Sequence, residues 1–350
     1  TIAGTDVGGA DRLGLTFRWR GEQEGCAITP CLVIDRSGGL MAESLTRGRT
    51  ALVDLRSRRR VATLPPMDGN DASALAFSPD GATLVTGGVD GTVTLWNVAN
   101  RTPTNTLRIG DRVWWVAVSP DGRLLATQSE PDGASTSTVE VRTLEGGRIV
   151  FRGEVRDGKG GLSFSPDGRS LAALGCCVPG STVVVWDTRT WEERYRPTVA
   201  GHADSLAFSP DGRFLGIGTE DGSVLLLDAG TGRPNGATIQ AATGPINPLS
   251  FSPDGRLLVA SSGDQTSTLW DVASRRRIGT TFPIEEAAIP VAVFTPAGDV
   301  LIDYLRDTSI WPTSLRRWED FACGVAGRDL SPQEWNEILP DRPYRAVCPS

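Results

Sequence analysis

The stretch FSPDG at residues 77–81 returns as VSPDG at 118–122 and as FSPDG at 164–168, 208–212 and 251–255. A worn copy, FTPAG, sits at 294–298, and a fainter one, IDRSG, at 34–38. Counted on the residue after the apolar position, the copies fall at Asp35, Ser78, Ser119, Ser165, Ser209, Ser252 and Thr295, in steps of 43, 41, 46, 44, 43 and 43 residues. A fixed period of this size marks one closed array of stacked units. It overrides the two or three separate domains that 350 residues would otherwise suggest.

Residues 72–109 show what one unit encodes. ASALAF (72–77) is a short apolar strand, and SPDG is its turn. Pro79 presets φ at the first corner, Asp80 tolerates the second, and Gly81 takes positive φ. TLVTGG (83–88) is the returning strand, VDG (89–91) turns again, and TVTLWN (92–97) and TNTLRI (104–109) follow as third and fourth strands. Four short strands separated by turn signals make an antiparallel meander. The third strands TVTLWN (92–97), STVVVWD (181–187), SVLLLD (223–228) and STLWD (267–271) do not alternate apolar with polar residues. A strand that is apolar on both sides must be covered on both sides. A lone four-stranded sheet cannot achieve this, whereas sheets stacked radially can. The expected fold is therefore all-β, a seven-bladed β-propeller. A parallel α/β barrel is excluded, because no helical segments separate the strands.

The same residues resemble the WD-repeat family, whose unit reads GH, a strand ending in SPDG, a DG turn, and a third strand ending in WD. GH is Gly201-His202, the DG turns are Asp90-Gly91 and Asp221-Gly222, and the WD ends are Trp186-Asp187 and Trp270-Asp271, with Trp96-Asn97 a near match. The resemblance covers about residues 31–313 and implies a seven-bladed WD-repeat propeller. One feature departs from the family. Its blades are often tied by a hydrogen-bonded set of Asp, His, Ser/Thr and Trp, and no blade here has all four. The unit with His202 and Asp221 carries Leu227 at the Trp position, and the unit with Asp90 and Trp96 carries Asp71 at the His position. Apolar packing is expected to dominate instead, with His202, Asp90, Trp96, Trp186 and Trp270 in structural roles.

The organisation read from the chain is a leader over 1–12, a propeller over 13–314 and a helical cap over 315–350. The seventh copy supplies PVAVFT (290–295), VLIDY (300–304) and TSIWPTS (308–314) but no fourth strand. The orphan run LGLTFRWR (13–20) is expected to complete that sheet and leave no internal edge. Ser331-Pro332-Gln333-Glu334 is a capping box that starts a short helix over 332–339. The block over 318–349 resembles the closing tail found after WD-repeat arrays of actinobacterial STAND-class ATPases and related regulators. This resemblance implies the sensor end of a larger bacterial signalling protein, with the ATPase and effector parts upstream of Thr1. The chain itself has no phosphate-binding loop.

Six cysteines are present. Cys323 and Cys348 bracket the tail helices, where a disulfide would staple a piece too small to hold itself, and Cys26 and Cys31 are the second candidate pair. The alternative is free buried thiols. In the resembled proteins a membrane segment often precedes the array, so the resemblance favours an extracytoplasmic face. One histidine and cysteine spacings of 5, 1 and 25 do not make a zinc site, and neither metal nor cofactor is expected. No run of 18 apolar residues exists, so this chain inserts no helix into a membrane.

Net charge of −7 and a pI near 5.0 argue against nucleic acid, and the Arg runs at 56–60 and 275–277 read as solvated rim turns. Most carboxylates belong to SPDG turns, and the only histidine has a structural place, so no catalytic residue is assigned. A non-enzymatic module that binds a protein or peptide on the propeller face, monomeric when isolated, is the expected function. A small-ligand receptor at the channel mouth and a propeller hydrolase are the alternatives. In DRVWWVAV (111–118), Trp114 and Trp115 start a first strand where other copies place Ser73, Ala74, Asp204, Ser205 and Asn247. Tryptophans flanked by Asp111 and Arg112 have the composition of an interaction hot spot, and Asp204 and Asn247 fall on the same predicted face. The competing role for the tryptophans is to fill a gap between blades. The loop SEPDGASTST (129–138) is roomier than its equivalents, which marks either a further element of that face or a floppy insertion.

Overall fold

The computed structural model describes residues 16–18, 32–45, 48–65, 72–131, 135–156, 160–175, 180–282, 290–304, 307–313 and 331–333. Within them each SPDG turn joins the first two strands of an antiparallel sheet, and seven such sheets form the blades. In chain order they span 32–64, 72–108, 112–156, 161–199, 203–240, 246–282 and 291–311, the last completed by Thr16–Arg18. Blade 2 shows the pattern, with strands Ala72–Phe77, Thr83–Gly88, Thr92–Asn97 and Thr102–Arg108. In blade 4, Pro197 has no N–H to donate and splits the outer strand into Glu193–Tyr195 and Thr198–Val199.

The turn chemistry is visible atom by atom. The Ser78 hydroxyl donates to Asp80 Oδ1 at 2.5 Å, and Asp80 Oδ1 accepts the Ala82 N–H at 3.0 Å. Ser78 Oγ also accepts the Thr83 N–H at 2.9 Å, which starts the returning strand. Gly81 stands at φ 70° to close the corner. Ser119–Asp121, Ser165–Asp167, Ser209–Asp211 and Ser252–Asp254 repeat the hydroxyl–carboxylate bond at 2.6 Å. These hydroxyls hold the Asp80, Asp121 and Asp254 carboxyls below their ordinary range. In blade 1 the partners are exchanged: the Ser37 hydroxyl donates to Asp35, whose other oxygen accepts the Leu40 N–H at 2.7 Å. In blade 7 Ala297 removes the carboxylate, and Thr295 Oγ1 alone accepts the Asp299 N–H at 3.2 Å.

The apolar third strands are buried on both sides, as the lack of alternation demands. Residues 92–96 of blade 2 are all buried, as are 183–186 of blade 4. The buried residues fall into seven clusters, and each belongs to the interface between two neighbouring blades. Leu84 and Trp96 of blade 2 pack with Ala42, Leu52 and Leu64 of blade 1, while Val85, Val93 and Leu95 of blade 2 pack with Val113, Val116 and Leu125 of blade 3. One strand thus serves two cores. Each fully buried Leu contributes about 2 kcal/mol relative to exposure.

Isolated polar side chains stitch the blades where the apolar clusters end. Gln128 of blade 3 donates to the Leu174 carbonyl of blade 4 at 3.1 Å, and the Ser205 hydroxyl of blade 5 donates to the Ile246 carbonyl of blade 6 at 2.6 Å. Ser181 Oγ accepts the Ala203 N–H at 2.7 Å, and Ser261 Oγ accepts the Ala292 N–H at 2.9 Å. The indole N–H of Trp96 goes to Thr86 Oγ1 at 3.0 Å, and that of Trp270 to Thr268 Oγ1 at 2.9 Å.

The ring closes between blades 7 and 1. Thr16–Arg18 pairs antiparallel with Asp307–Trp311, Phe17 opposite Thr308. Leu301 of blade 7 packs with Met41, Ala51 and Val53 of blade 1. The same seam holds acids. Glu43 is wholly buried, and among the described residues neither carboxyl oxygen has a hydrogen-bond partner. Burial, together with the nearby Asp303 carboxylate, pushes Glu43 up to about 9, against a weaker opposing pull from Arg60. Asp303 is itself buried and accepts the Thr308 hydroxyl at 2.6 Å. Arg60 departs from the solvated rim expected of its run, since its Nε and Nη2 are buried against this seam without hydrogen-bond partners among the described residues. The proposed leader (1–12) lies outside the described residues, as does the tail over 315–350 apart from 331–333, where Pro332 and Gln333 are helical.

Two expectations follow from the seam. Deleting residues 1–18 exposes the edge of Asp307–Trp311, so the truncated chain melts lower and self-associates in sedimentation experiments. Glu43 is protonated in the folded chain and ionises in the unfolded one, so stability present below its ordinary value of 4.5 is lost as pH rises toward about 9. The slope in that window is about 1.4 kcal/mol per pH unit. Denaturant titrations at several pH values should show Glu43→Gln more stable than the parent at pH 8, with this alkaline loss removed.

Candidate functional site

The loops that enter each first strand and those that join second to third strands share one face of the ring, the top face. The SPDG turns lie on the opposite face. At the top, the first strands of blades 2, 3, 5 and 6 break register, between Ala72 and Ala74, Val113 and Trp115, Ala203 and Ser205, and Ile246 and Leu249. Such a bulge re-aims the extra residue. The bulged residues include Ser73, Trp114, Asp204 and Asn247, so three of the sequence candidates occupy equivalent places on different blades.

Around blade 3 the bulge gathers Asp111, Arg112 and Trp114, while Asp204 and Asn247 stand apart on blades 5 and 6. Trp114 is not an exposed anchor. Only 8% of it is accessible, its indole N–H donates to Glu130 Oε2 at 3.0 Å, and the Arg112 guanidinium lies 5.3 Å from its ring centroid. Trp115 packs partly buried into the core between blades 3 and 4, with Phe164 and Trp186. Of the two roles the sequence leaves open for these tryptophans, this packing accords with the filling of gaps in and between blades. The bulge turns one indole back over the top of its own blade, where its N–H finds a carboxylate, and its neighbour points into the next interface.

At blade 5, Asp204 is half-buried, and burial raises its carboxyl above the ordinary range, helped by Glu220 and opposed by His202. His202 sits at the surface with Nδ1 3.2 Å from Glu220 Oε2. It does not reach Asp221, whose carboxylate accepts the Thr219 hydroxyl and the Ser223 N–H instead.

Beside the Trp114 bulge, the top face opens into a cleft of about 340 Å³ between blades 2 and 3. Its walls include Asp111, Ser129, Thr138, Glu140, Arg152 and Glu154. The ends of the roomy 129–138 loop therefore line it, while residues 132–134 lie outside the described set. Gly91 of blade 2 holds the wall in place. Its carbonyl accepts the Ile109 N–H at 2.8 Å, and at φ +79° a Cβ there would lie 2.8 Å from the Asp111 carbonyl oxygen.

The floor of the cleft exists because blade 3 departs from the repeat. Arg142 occupies the place of Trp96, opposite Leu125 as Trp96 is opposite Leu84. Two residues earlier stands Glu140, 3% exposed, in the place of Thr94. Glu140 accepts Arg142 Nε at 2.5 Å and Arg152 Nε at 2.7 Å, a clamp that answers its buried charge. Ser129 is 1% exposed, and among the described residues its hydroxyl has no hydrogen-bond partner. Among the described residues Asp111 and Glu154 make no ion pair. Sequence reading missed Glu140, Arg152 and Glu154. The available signal was the polar alternation of TVEVR (138–142), unlike the other third strands.

Among the described residues no group of three His, Cys, Asp or Glu side chains is placed to hold a metal ion, and no helix is long and apolar enough to cross a membrane. Cys26, Cys31, Cys176, Cys177, Cys323 and Cys348 all lie outside the described residues.

A family model described as WD domain, G-beta repeat, matches residues 59–97, 194–228 and 236–271. Each match runs from the outer strand of one blade through the third strand of the next, so each sequence repeat ties two blades together. The chain is 27% identical over 165 residues to the protein groucho of Drosophila melanogaster, covering 46% of this chain and 21% of that protein. It is 29% identical over 152 residues to WD repeat-containing protein SL1-17 of Schistosoma mansoni, covering 41% of this chain and 46% of that protein. The chain thus spans under half the length of either relative, and it carries WD repeats in a seven-bladed propeller.

Removing the charge of Glu140 leaves two guanidinium groups facing a neutral amide. Glu140→Gln should cost about 2 kcal/mol in denaturant titration, while the same change at exposed Glu145 stays within about 0.5 kcal/mol.

Proposed function

We propose that this propeller is a non-enzymatic interaction module that binds a protein or peptide partner on its top face. Propellers of WD repeats generally mediate contacts between proteins, which gives the coarse class. The top face carries the reading further. Its bulged entries present side chains that break the repeat, and its described loops are predominantly acidic. Asp90, Asp111, Glu130, Glu154, Asp204, Glu220, Asp221 and Asp264 stand there against Arg49, Arg108, Arg112 and Arg156. Loop chemistry on a rigid scaffold selects the partner, and a face of this sign favours a basic one. We further propose that the module is the sensor end of a larger bacterial signalling protein, on the resemblance of the 318–349 block to tails that close such arrays.

The carrying observation is the acidic, bulged top face. Peptides selected from a displayed library against the intact chain provide the test, with affinities then measured on charge-reversed variants. Glu220→Lys and Glu130→Lys should each weaken binding about fivefold or more, with steeper salt dependence for the parent. Arg123→Glu, on the opposite face, should leave affinity unchanged. Equal sensitivity of both faces, or loss confined to the SPDG face, would overturn the assignment.

A further inference from the structure

The cleft between blades 2 and 3 lies off the axis of the ring, because its walls come from second, third and fourth strands and from the loop entering blade 3. Three observations bear on what it holds. Among the described residues its unpaired charges are negative: Asp111 and Glu154 have no cationic partner there, whereas Glu140 is already answered by Arg142 and Arg152. A buried hydroxyl, Ser129 Oγ, lines the cleft without a hydrogen-bond partner, a cost that a ligand's N–H relieves. Ile109 contributes an apolar side to the same wall.

An anion is disfavoured by the two unpaired carboxylates. A bare metal ion is disfavoured because the described acids do not converge as ligands, and about 340 Å³ exceeds what a single ion fills. A group that is cationic at one end, rich in N–H donors and aliphatic along its stem matches all three observations. Lysine and arginine side chains have that build.

We propose that this cleft receives one basic side chain of the peptide partner, a lysine or an arginine. The charged head lies between Asp111 and Glu154 with an N–H toward Ser129 Oγ, and the stem runs along Ile109. The proposal rests on the peptide-binding reading and adds to it the chemistry of one anchor residue. Gly91 gives the site its rigidity, since the Asp111 backbone packs too closely against that glycine for any other residue to stand there.

The test uses the full chain, isotope-labelled for NMR, titrated with N-acetyl-arginine methylamide, its lysine counterpart and the neutral isostere N-acetyl-citrulline methylamide. A basic amide should shift the Gly110, Ser129 and Gly153 resonances with a dissociation constant on the order of millimolar. The citrulline amide should bind about tenfold more weakly. Asp111→Asn and Glu154→Gln should each weaken the basic amide about tenfold, while Glu145→Gln, exposed in a turn on the opposite face, should leave it unchanged. Thermal melts confirm that each variant is folded. Equal binding of the citrulline amide, shifts mapping to another blade, or indifference to both cleft substitutions would overturn the proposal. Library-selected peptides separate the two readings. Peptides sensitive to Glu220→Lys but tolerant of both cleft substitutions would overturn the cleft alone. If no peptide binds, the broader reading falls and the amide titration still decides the cleft.

Discussion

Every blade of this ring has two apolar sides, and neither can face water. Leu84 and Val85 are consecutive, wholly buried, and belong to different cores, one shared with the preceding blade and one with the next. No sheet can satisfy that demand alone, so each must be sandwiched, and the sandwiching propagates until the first blade meets the last. Seven interfaces with seven apolar clusters are the outcome. The fourfold Asp, His, Ser/Thr and Trp tie is dispensable because interblade apolar area supplies the cohesion. Single hydroxyls such as Ser205 and Ser261 satisfy backbone groups where the apolar contact ends.

Against that uniform background, departures become meaningful. Blade 3 exchanges the tryptophan of the repeat for Arg142 and sets Glu140 beneath it, so an interface that elsewhere is apolar acquires a charged floor. Two arginines make the buried carboxylate tolerable, and the space left above them is the cleft. The adjacent bulge at Trp114 ties Glu130 to the rim. The seam between blades 7 and 1 makes a second departure, with Glu43 and Asp303 facing one buried interface. There the cost is met by protonation rather than by ion pairing, which makes closure of the ring sensitive to alkaline pH.

Much of this was legible in order of periodicity. ASALAF (72–77), TLVTGG (83–88) and TVTLWN (92–97) coincide residue for residue with the strands observed. The outer strand was read as 104–109 and lies at 102–108, since an exposed edge strand carries little apolar signal to mark its ends. The site was legible only in part. Asp111, Arg112 and the 129–138 loop stand out in the sequence, but it leaves Trp114 and Trp115 open between surface anchor and gap filler, because a one-residue bulge, which reverses where side chains point, leaves no mark in composition. Glu140 and Arg152 are twelve residues apart and meet only across paired strands, so no local pattern announces the clamp.

By itself the sequence determined the repeat, the turn chemistry at each SPDG, and the two-sided apolar strands that compel radial stacking. These are local properties: a Ser hydroxyl meets an Asp two residues on, and a strand's burial is written in its own alternation. Tertiary structure alone decided which carboxylates are clamped, which are protonated and which stay open to water. Those outcomes depend on what the neighbouring blade places opposite each side chain, and on how much water remains between them.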